Sequence, residues 1–295
     1  MLLFKEFEIL RVSESEKERL SQRGFSKKTG LSVGTINATI LQLEEKGLLA
    51  DGMITQAGLE ALEPYRVKRA IFIAAGFGSR MVPITLNTPK PLVRVKGERI
   101  IDSILDAVVA AGIEDIVIVR GYLSEQFDQL LYKYPNIKFV ENPAYNEANN
   151  ISSAMCVRYL LGNSYVCEGD ILLHNPKIIQ KYQYQSNYCG IKVDRTDDWC
   201  LFENKGRITG VAVGGENCHQ MMGISYWTED DGKRLGDCIK KVYEMPGGKE
   251  RYWDQVALQY FVDDFNIAIR ECSAEDFIEI DTFNELKAID SVYDV

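Results

Sequence analysis

Residues 74–92 form one dense run suited to holding phosphate. It reads Ala74-Ala75-Gly76-Phe77-Gly78-Ser79-Arg80-Met81-Val82-Pro83, then Thr85, then Thr88-Pro89-Lys90-Pro91-Leu92. The run follows Ala70-Ile71-Phe72-Ile73-Ala74, an apolar stretch that predicts a buried strand. The loop therefore stands at a strand's carboxyl end, where open α/β sheets bind their ligands. Small residues let backbone N–H groups approach a polyphosphate closely, and Arg80 adds a fork of donors for phosphate oxygens. Two other phosphate loops are excluded. A Walker A loop needs a Gly-Lys-Ser/Thr ending, which is absent, and a dinucleotide fingerprint needs a third glycine where Met81 stands. Gly76-x-Gly78 alone describes any tight strand-to-helix turn. Arg80, Pro83, Thr85 and Pro89-Lys90 at this spacing make the run specific.

Two aspartates follow apolar strands. Asp170 comes after residues 165–168 and before Ile171-Leu172-Leu173, and Asp281 comes after residues 277–280. Two such strand ends beside a phosphate loop can place hard oxygen ligands around one Mg²⁺, with water and phosphate oxygens completing the octahedron. Asp281-Thr282 also reads as the start of a last helix, with the aspartate as N-cap. Glu168 reads as a supporting residue. All three tryptophans lie beside acids or other rings: Trp199 after Asp197-Asp198, Trp227 after Tyr226, and Trp253 between Tyr252 and Asp254. Aromatic faces with a nearby carboxylate hold quaternary ammonium groups, at about 0.5–2 kcal/mol per well-placed ring. Core packing is the competing fate of tryptophan, and Tyr182, Tyr184 and Tyr188 read as packing residues.

These groups need a scaffold. Residues 67–295 alternate apolar β runs with amphipathic patterns. Residues 116–119 follow a helix with Ile101, Ile104, Leu105 and Val108 on one face, and residues 137–140 precede an expected helix over 152–161. That grammar predicts a mostly parallel sheet covered on both faces. Residues 188–227 are more broken, with a turn at Asn204-Lys205-Gly206, and read as an antiparallel extension. Residues 1–66 are helical apart from a short stretch near Met53-Ile54-Thr55, and Glu63-Pro64-Tyr65-Arg66 marks a domain boundary. An N-cap at Ser32 after Gly30, a helix with Ile36, Ile40 and Leu43, and a small wing over 50–55 resemble a winged helix-turn-helix domain. Thr35, Asn37, Thr39 and Gln42 are residue types that read bases. Glu44 and Glu45 repel phosphates, and the segment holds nine basic and ten acidic residues. DNA binding and a docking or dimerisation module, with a homodimer as one outcome, are the readings of this segment.

Hydrophobic residues at 46% and charged ones at 26% exclude disordered, collagen-like and disulfide-scaffold proteins. No apolar run approaches the ~20 residues of a membrane span, and the start lacks the zones of a signal peptide, so no membrane insertion and a cytoplasmic location are expected. Seven scattered cysteines without a CxxC pair read as reduced thiols, and two histidines leave a zinc site improbable. A net charge of −9 argues against nonspecific polyanion binding but not against a nucleotide pocket.

The signature over residues 74–92 resembles that of nucleotidyltransferases, which join a nucleoside triphosphate to a phosphorylated acceptor and release pyrophosphate. Over residues 68–290 the chain most resembles bacterial CTP:phosphocholine cytidylyltransferases of the LicC type. The matching landmarks are Val119-Arg120-Gly121-Tyr122, Asn142-Pro143-x-Tyr145, Asn149-Asn150, Ser153, Glu168-Gly169-Asp170, Asp198-Trp199, Tyr252-Trp253-Asp254 and Glu279-Ile280-Asp281. The resemblance implies an α/β, Rossmann-like (GT-A-like) mixed sheet flanked by helices. It implies that residues 74–80 and Arg80 hold the CTP triphosphate, Lys90 contacts the reacting phosphates, and Asp170 and Asp281 hold Mg²⁺. Tyr122, Asn150 and Ser153 would serve the nucleotide. Trp199, then Tyr252, Trp253, Asp254 and Trp227 would surround phosphocholine. The implied products are CDP-choline and pyrophosphate. Sugar-1-phosphate nucleotidyltransfer is the alternative chemistry. A nucleotide-sensing transcription regulator without activity is the other class, opposed by the intact Lys90, Asp170 and Asp281. Phosphoethanolamine and aminoalkylphosphonates are alternative acceptors. If Asp170 serves a metal-assisted reaction, Asp170→Asn lowers turnover at least ~100-fold while circular dichroism shows the fold retained. Near-wild-type turnover would remove Asp170 from the chemistry.

Overall fold

The computed structural model describes residues 1–16 and 18–294. The chain divides into two compact units, residues 1–66 with 182–184, and residues 67–181 with 185–294.

In the first unit, helices α1 (Phe4–Ser15), α2 (Gln22–Thr29) and α3 (Val33–Glu45) precede a two-stranded hairpin, β1 (Leu49–Ala50) with β2 (Met53–Ile54), and helix α4 (Gln56–Leu62). The starts of α2, α3 and α4 are set by side-chain caps, since Ser21, Ser32 and Thr55 accept from Gly24, Thr35 and Gly58 backbone N–H groups. Gly30, at φ 73°, ends α2 in the left-handed conformation that glycine adopts without strain. Phe7, Leu10, Phe25, Ile36 and Leu43 form its core, and Tyr184 stacks on Tyr65.

The second unit is built on a seven-stranded mixed sheet. Its strands are β3 (Arg69–Ile73), β6 (Asp115–Arg120), β7 (Ile137–Glu141), β8 (Ser164–Glu168), β10 (Asn187–Asn204), β11 (Arg207–Trp227) and β12 (Ala268–Cys272). The spatial order is β10-β12-β11-β8-β3-β6-β7. Strands β8, β3, β6 and β7 run parallel, and β11 joins β8 antiparallel. Two small pairs stand apart: β4 (Arg94–Val95) with β5 (Glu98–Arg99), and β9 (Ile171–Leu173) with β13 (Phe277–Glu279). Helices α5 (Ile100–Ala110), α6 (Ile151–Cys156), α7 (Glu229–Glu244) and α8 (Phe283–Ile289) complete the unit.

Alternation along the central strand explains the two cores. Ala70 and Phe72 face one side with Ile101, Ile104, Leu105 and Val108 of α5, while Ile71 and Ile73 face the other with α6 and α7. The expected helix over 152–161 is shorter, with α6 ending at Cys156 and a 3₁₀ turn at Arg158–Leu160. The strand expected over residues 277–280 is β13, which ends at Glu279 and pairs with β9 outside the main sheet. The antiparallel extension is the β10–β11 hairpin, whose tip carries Lys205 and Gly206 at φ 52° and 80°. Bulges make the hairpin double back, so Cys200 pairs with both Ala212 and Gln220, and Leu201 with both Val211 and His219.

Glycines bring α7 against the segment that follows α6. A Cβ on Gly232 would lie 2.3 Å from the Leu161 carbonyl oxygen, and one on Gly236 would lie 2.3 Å from that of Arg158. Gly232→Ala should therefore destabilise the unit by roughly 1–3 kcal/mol, because displacing α7 outweighs the gain in helix propensity. Thermal denaturation should show a Tm lower by several degrees. An unchanged or raised Tm would mean that α7 shifts without loss of packing.

Candidate active site

The phosphate-suited loop leaves β3 at Ala74, whose N–H donates to the Val119 carbonyl at 3.0 Å. Gly78 has φ 67°, and a Cβ there would meet Lys90 Cβ at 3.1 Å and Thr85 Cγ2 at 3.2 Å. The Thr85 hydroxyl donates back to the Gly78 carbonyl at 2.9 Å. Gly76 faces open space. The loop is thus clamped over residues 85–90 with its backbone turned toward a cleft of about 370 Å³. Ala74, Ala75, Gly76, Gly78, Ser79 and Arg80 line that cleft, as do Lys90, Asn150, Ser153, Asp170 and Asp281.

Phe77 and Tyr122, expected at the nucleotide, do not line it. The Tyr122 hydroxyl donates to the Thr85 and Leu86 carbonyls at 2.8 and 3.0 Å. Phe77 packs edge-on against its ring at 4.5 Å. Both side chains brace the loop, and neither is among those that line the cleft.

The carboxylates converge because several strand ends meet. Gly169 separates Glu168 from Asp170 at the end of β8, and a Cβ there would press on Pro91 Cγ at 2.8 Å. Gly223 of β11 leaves room for Glu168, whose Cγ would be 2.7 Å from a Cβ at that position. Beyond β13, Thr282 caps α8 in a capping box with Glu285. Thr282, not Asp281, is the N-cap, and the Asp281 carboxylate is left for the cleft. Lys90, only 8% exposed, donates at 2.8 Å to both Asp170 Oδ2 and Asp281 Oδ1. The exposed Arg80 reaches Asp281 Oδ1 at 2.9 Å.

Charge in this cluster is unbalanced toward the acids. Burial acts against the Lys90 ammonium, but Asp170 and Asp281 outweigh it and hold its pKa above the ordinary lysine value. Burial, then Asp170 and Asp281, push Glu279 up to about 8. Burial, then Asp170, Asp254 and Glu279, raise Glu168 well above the carboxylate range. One oxygen from each of Glu168, Asp170 and Glu279 lies within 4.8 Å of the others, and Asp170 Oδ1 is buried with no partner among the described residues. Hard oxygens, one of them orphaned, in a cluster short of positive charge fit a divalent cation such as Mg²⁺. Asp281, expected as a second ligand, meets Lys90 and Arg80 through Oδ1. Glu279 is the carboxylate that sequence reasoning left unassigned. It stands two residues before Asp281 on an extended segment, a spacing that puts both side chains on one face.

A second cavity, of about 300 Å³, adjoins the first and shares Arg80, Glu168, Asp170, Tyr252 and Asp281 with it. Its far wall carries Asp198, Trp199, Val211, Val213 and Asp254. Trp199 and Tyr252 meet edge-to-face at 5.5 Å. Asp254 accepts the Tyr188 hydroxyl at 2.6 Å, and burial lifts its pKa to about 7. Trp227 and Trp253 are corrected to core residues. Both are 1% exposed, and their rings lie 6.2 Å apart within the cluster that backs α6 and α7. Asn150 Oδ1 accepts the Trp253 backbone N–H at 2.9 Å, and so ties the Tyr252–Asp254 turn to the cleft.

A glycine loop at the carboxyl end of a parallel strand, a buried lysine among carboxylates and an adjoining acidic cavity define an enzyme that handles a polyphosphate beside a second small molecule. The nucleotidyl transferase family profile matches residues 69–186. A 2-aminoethylphosphonate cytidylyltransferase of Lancefieldella rimae is 37% identical over 228 residues, covering 76% of this chain and 92% of that one. A choline-phosphate cytidylyltransferase of Streptococcus pneumoniae is 28% identical over 225 residues, covering 76% and 97%. The solved structure of the CTP:phosphocholine cytidylyltransferase from Streptococcus pneumoniae superimposes with a TM-score of 0.71 at 30% identity, over 77% of this chain and 99% of that one. The chain belongs to the nucleotidyl transferase family, among its cytidylyltransferases.

Lys90 and Arg80 separate by burial. Lys90→Ala should lower turnover more than it raises the KM for nucleotide, because the ammonium sits inside the carboxylate cluster. Arg80→Ala, at the exposed rim, should mainly raise that KM. Steady-state kinetics showing the reverse pattern would exchange their roles.

Proposed function

We propose that this protein transfers CMP from CTP to a small zwitterion bearing a phosphonate or phosphate at one end and an amine cation at the other. The observation that carries the reading is the second cavity, which joins aromatic faces to carboxylates and opens directly onto the phosphate cleft. The acceptor oxygen attacks the α-phosphorus, the bond to the bridging β-phosphate oxygen breaks, and pyrophosphate leaves. The attacking group is already anionic, so no general base is needed. Arg80 and the loop N–H groups orient the triphosphate, and Lys90 stabilises charge at the transferring phosphate. Asp170, with Glu168 and Glu279 beside it, would hold Mg²⁺, which supplies further charge neutralisation on phosphate oxygens.

Among acceptors we favour a 2-aminoethylphosphonate-type primary amine. With Trp227 and Trp253 in the core, Trp199 and Tyr252 are the rings that line the cavity among the described residues, whereas Asp198 and Asp254 offer oxygens to an N–H donor. Phosphocholine is the second reading, supported by the Trp199–Tyr252 pair. A sugar phosphate, carrying no cation, would leave the acids of this wall without a counter-charge. For residues 1–66 we infer a winged-helix-like docking module, since α3 exposes Val33 and Leu41 alongside Glu45.

Pyrophosphate release from CTP and UTP, measured against 2-aminoethylphosphonate, phosphocholine, phosphoethanolamine and glucose-1-phosphate, tests the assignment. The highest kcat/KM is expected for CTP with the aminophosphonate. Trp199→Ala should weaken phosphocholine roughly 5–30-fold, about 1–2 kcal/mol, with little effect on CTP. Asp198→Asn should weaken the aminophosphonate more than phosphocholine. A preference for glucose-1-phosphate would reject the amine reading and establish sugar nucleotidyltransfer in its place.

A further inference from the structure

The nucleotide-side cleft ends at a wall formed by Asn142, Tyr145, Asn149, Ser152 and Ser153. Asn142, 2% exposed, has its hydrogen bonds fixed by chemistry. The Ala144 backbone N–H can only donate, and it points at Asn142 Oδ1 at 2.9 Å. The amide nitrogen therefore faces the other way, toward Ser152 Oγ at 2.9 Å and Ser153 Oγ at 3.0 Å. An amide nitrogen has two hydrogens and no acceptor capacity, so both seryl oxygens must accept. Ser152 passes its own proton to the Asn149 carbonyl at 2.8 Å. Ser153 is 2% exposed, lines the cleft, and has no protein acceptor for its proton among the described residues. The order of donors leaves the Ser153 hydroxyl hydrogen without a protein acceptor among the described residues, on a side chain that borders the cleft.

We infer that Asn142 is a positioning residue that fixes Ser153 as a hydrogen-bond donor to the pyrimidine, and that this donor distinguishes cytosine from uracil at N3. The inference rests on the proposed use of CTP: the glycine loop and Lys90 take the triphosphate at one end of the cleft, leaving the 142–153 wall for the nucleoside. Cytosine N3 is an acceptor, while uracil N3 carries a hydrogen. A fixed donor pairs with the first and leaves two opposed donors with the second, the kind of mismatch by which a buried polar site rejects an analogue.

Calorimetric binding and steady-state kinetics with CTP and UTP test this on the full-length protein. Ser153→Ala should raise the Kd and KM for CTP roughly five- to tenfold, leave kcat nearly unchanged, and lower the preference for CTP over UTP by a similar factor. Asn142→Asp removes both amide donors, so the Ser153 proton turns to the carboxylate and a lone pair faces the base. It should weaken CTP and improve UTP relative to it. The double variant should be no weaker toward CTP than Ser153→Ala alone, because the Asn142 effect runs through that hydroxyl. Equal weakening of CTP and UTP, unchanged CTP binding by Ser153→Ala, or multiplying effects in the double variant would overturn the inference. Melting curves identify a variant that has only lost its fold, and Ser153→Ala, which deletes a single oxygen, remains decisive in that case. A wild-type protein that binds no CTP would overturn the functional reading itself, and with it this assignment.

Discussion

Everything in the cleft depends on one ammonium group set among carboxylates. Lys90 is almost fully buried, and it contacts Asp170 and Asp281 at 2.8 Å each, with Glu168 and Glu279 close behind. Charges held this close in a partly desolvated site interact by several kcal/mol, which is enough to set local geometry. Taking the lysine away would leave the aspartates facing each other without compensation, the situation in which a buried pair is most destabilising. The ammonium therefore joins three distant parts of the chain: the 85–92 segment, the end of β8 and the end of β13. Steric fit reinforces the junction, since Gly169 is the residue that lets Pro91 approach and Gly223 the one that admits Glu168.

That junction also divides the active cleft into two compartments with different chemistry. On one side the wall is backbone, small residues and neutral polar groups, suited to a polyanion and its nucleoside. On the other it is rings and acids, suited to a cation. The shared residues carry the charge at which the two ligands would meet. A net acidic protein can still suit an anion in the first compartment, because the local groups, not the total charge, set the field there.

The sequence makes the first compartment legible and the second only partly so. Residues 74–80 and Lys90 form a contiguous signature after an apolar strand, and the aspartates at 170 and 281 share a local grammar of strand followed by acid. Physical context accounts for the misreadings. Trp227 ends a buried strand and Trp253 opens a turn, and their adjacent acids and tyrosines mimic a cation site although both rings point into the core. Tyr122 stands beside the loop in space, but two carbonyls take its hydroxyl, which no local pattern announces. The capping box at Thr282 and Glu285 is readable as Thr-x-x-Glu, and it would have reassigned the N-cap away from Asp281. The doubled pairing of Cys200 and Leu201 is not readable, because bulges are settled by tertiary packing rather than by alternation.

The doubled hairpin has a consequence for how such an enzyme changes over generations. Asp198, Trp199, Val211 and Val213 all belong to β10 and β11. The glycine loop and the metal-suited carboxylates hang on β3, β8 and β13. Wall residues on a ribbon that packs largely on itself can be exchanged singly while the strands beneath keep their register. Selection can thus retune which phosphorylated or phosphonate acceptor fits without passing through ancestors that have lost the nucleotide chemistry. Substrate drift among relatives is the expected outcome of that architecture, and the fold itself need never be reinvented.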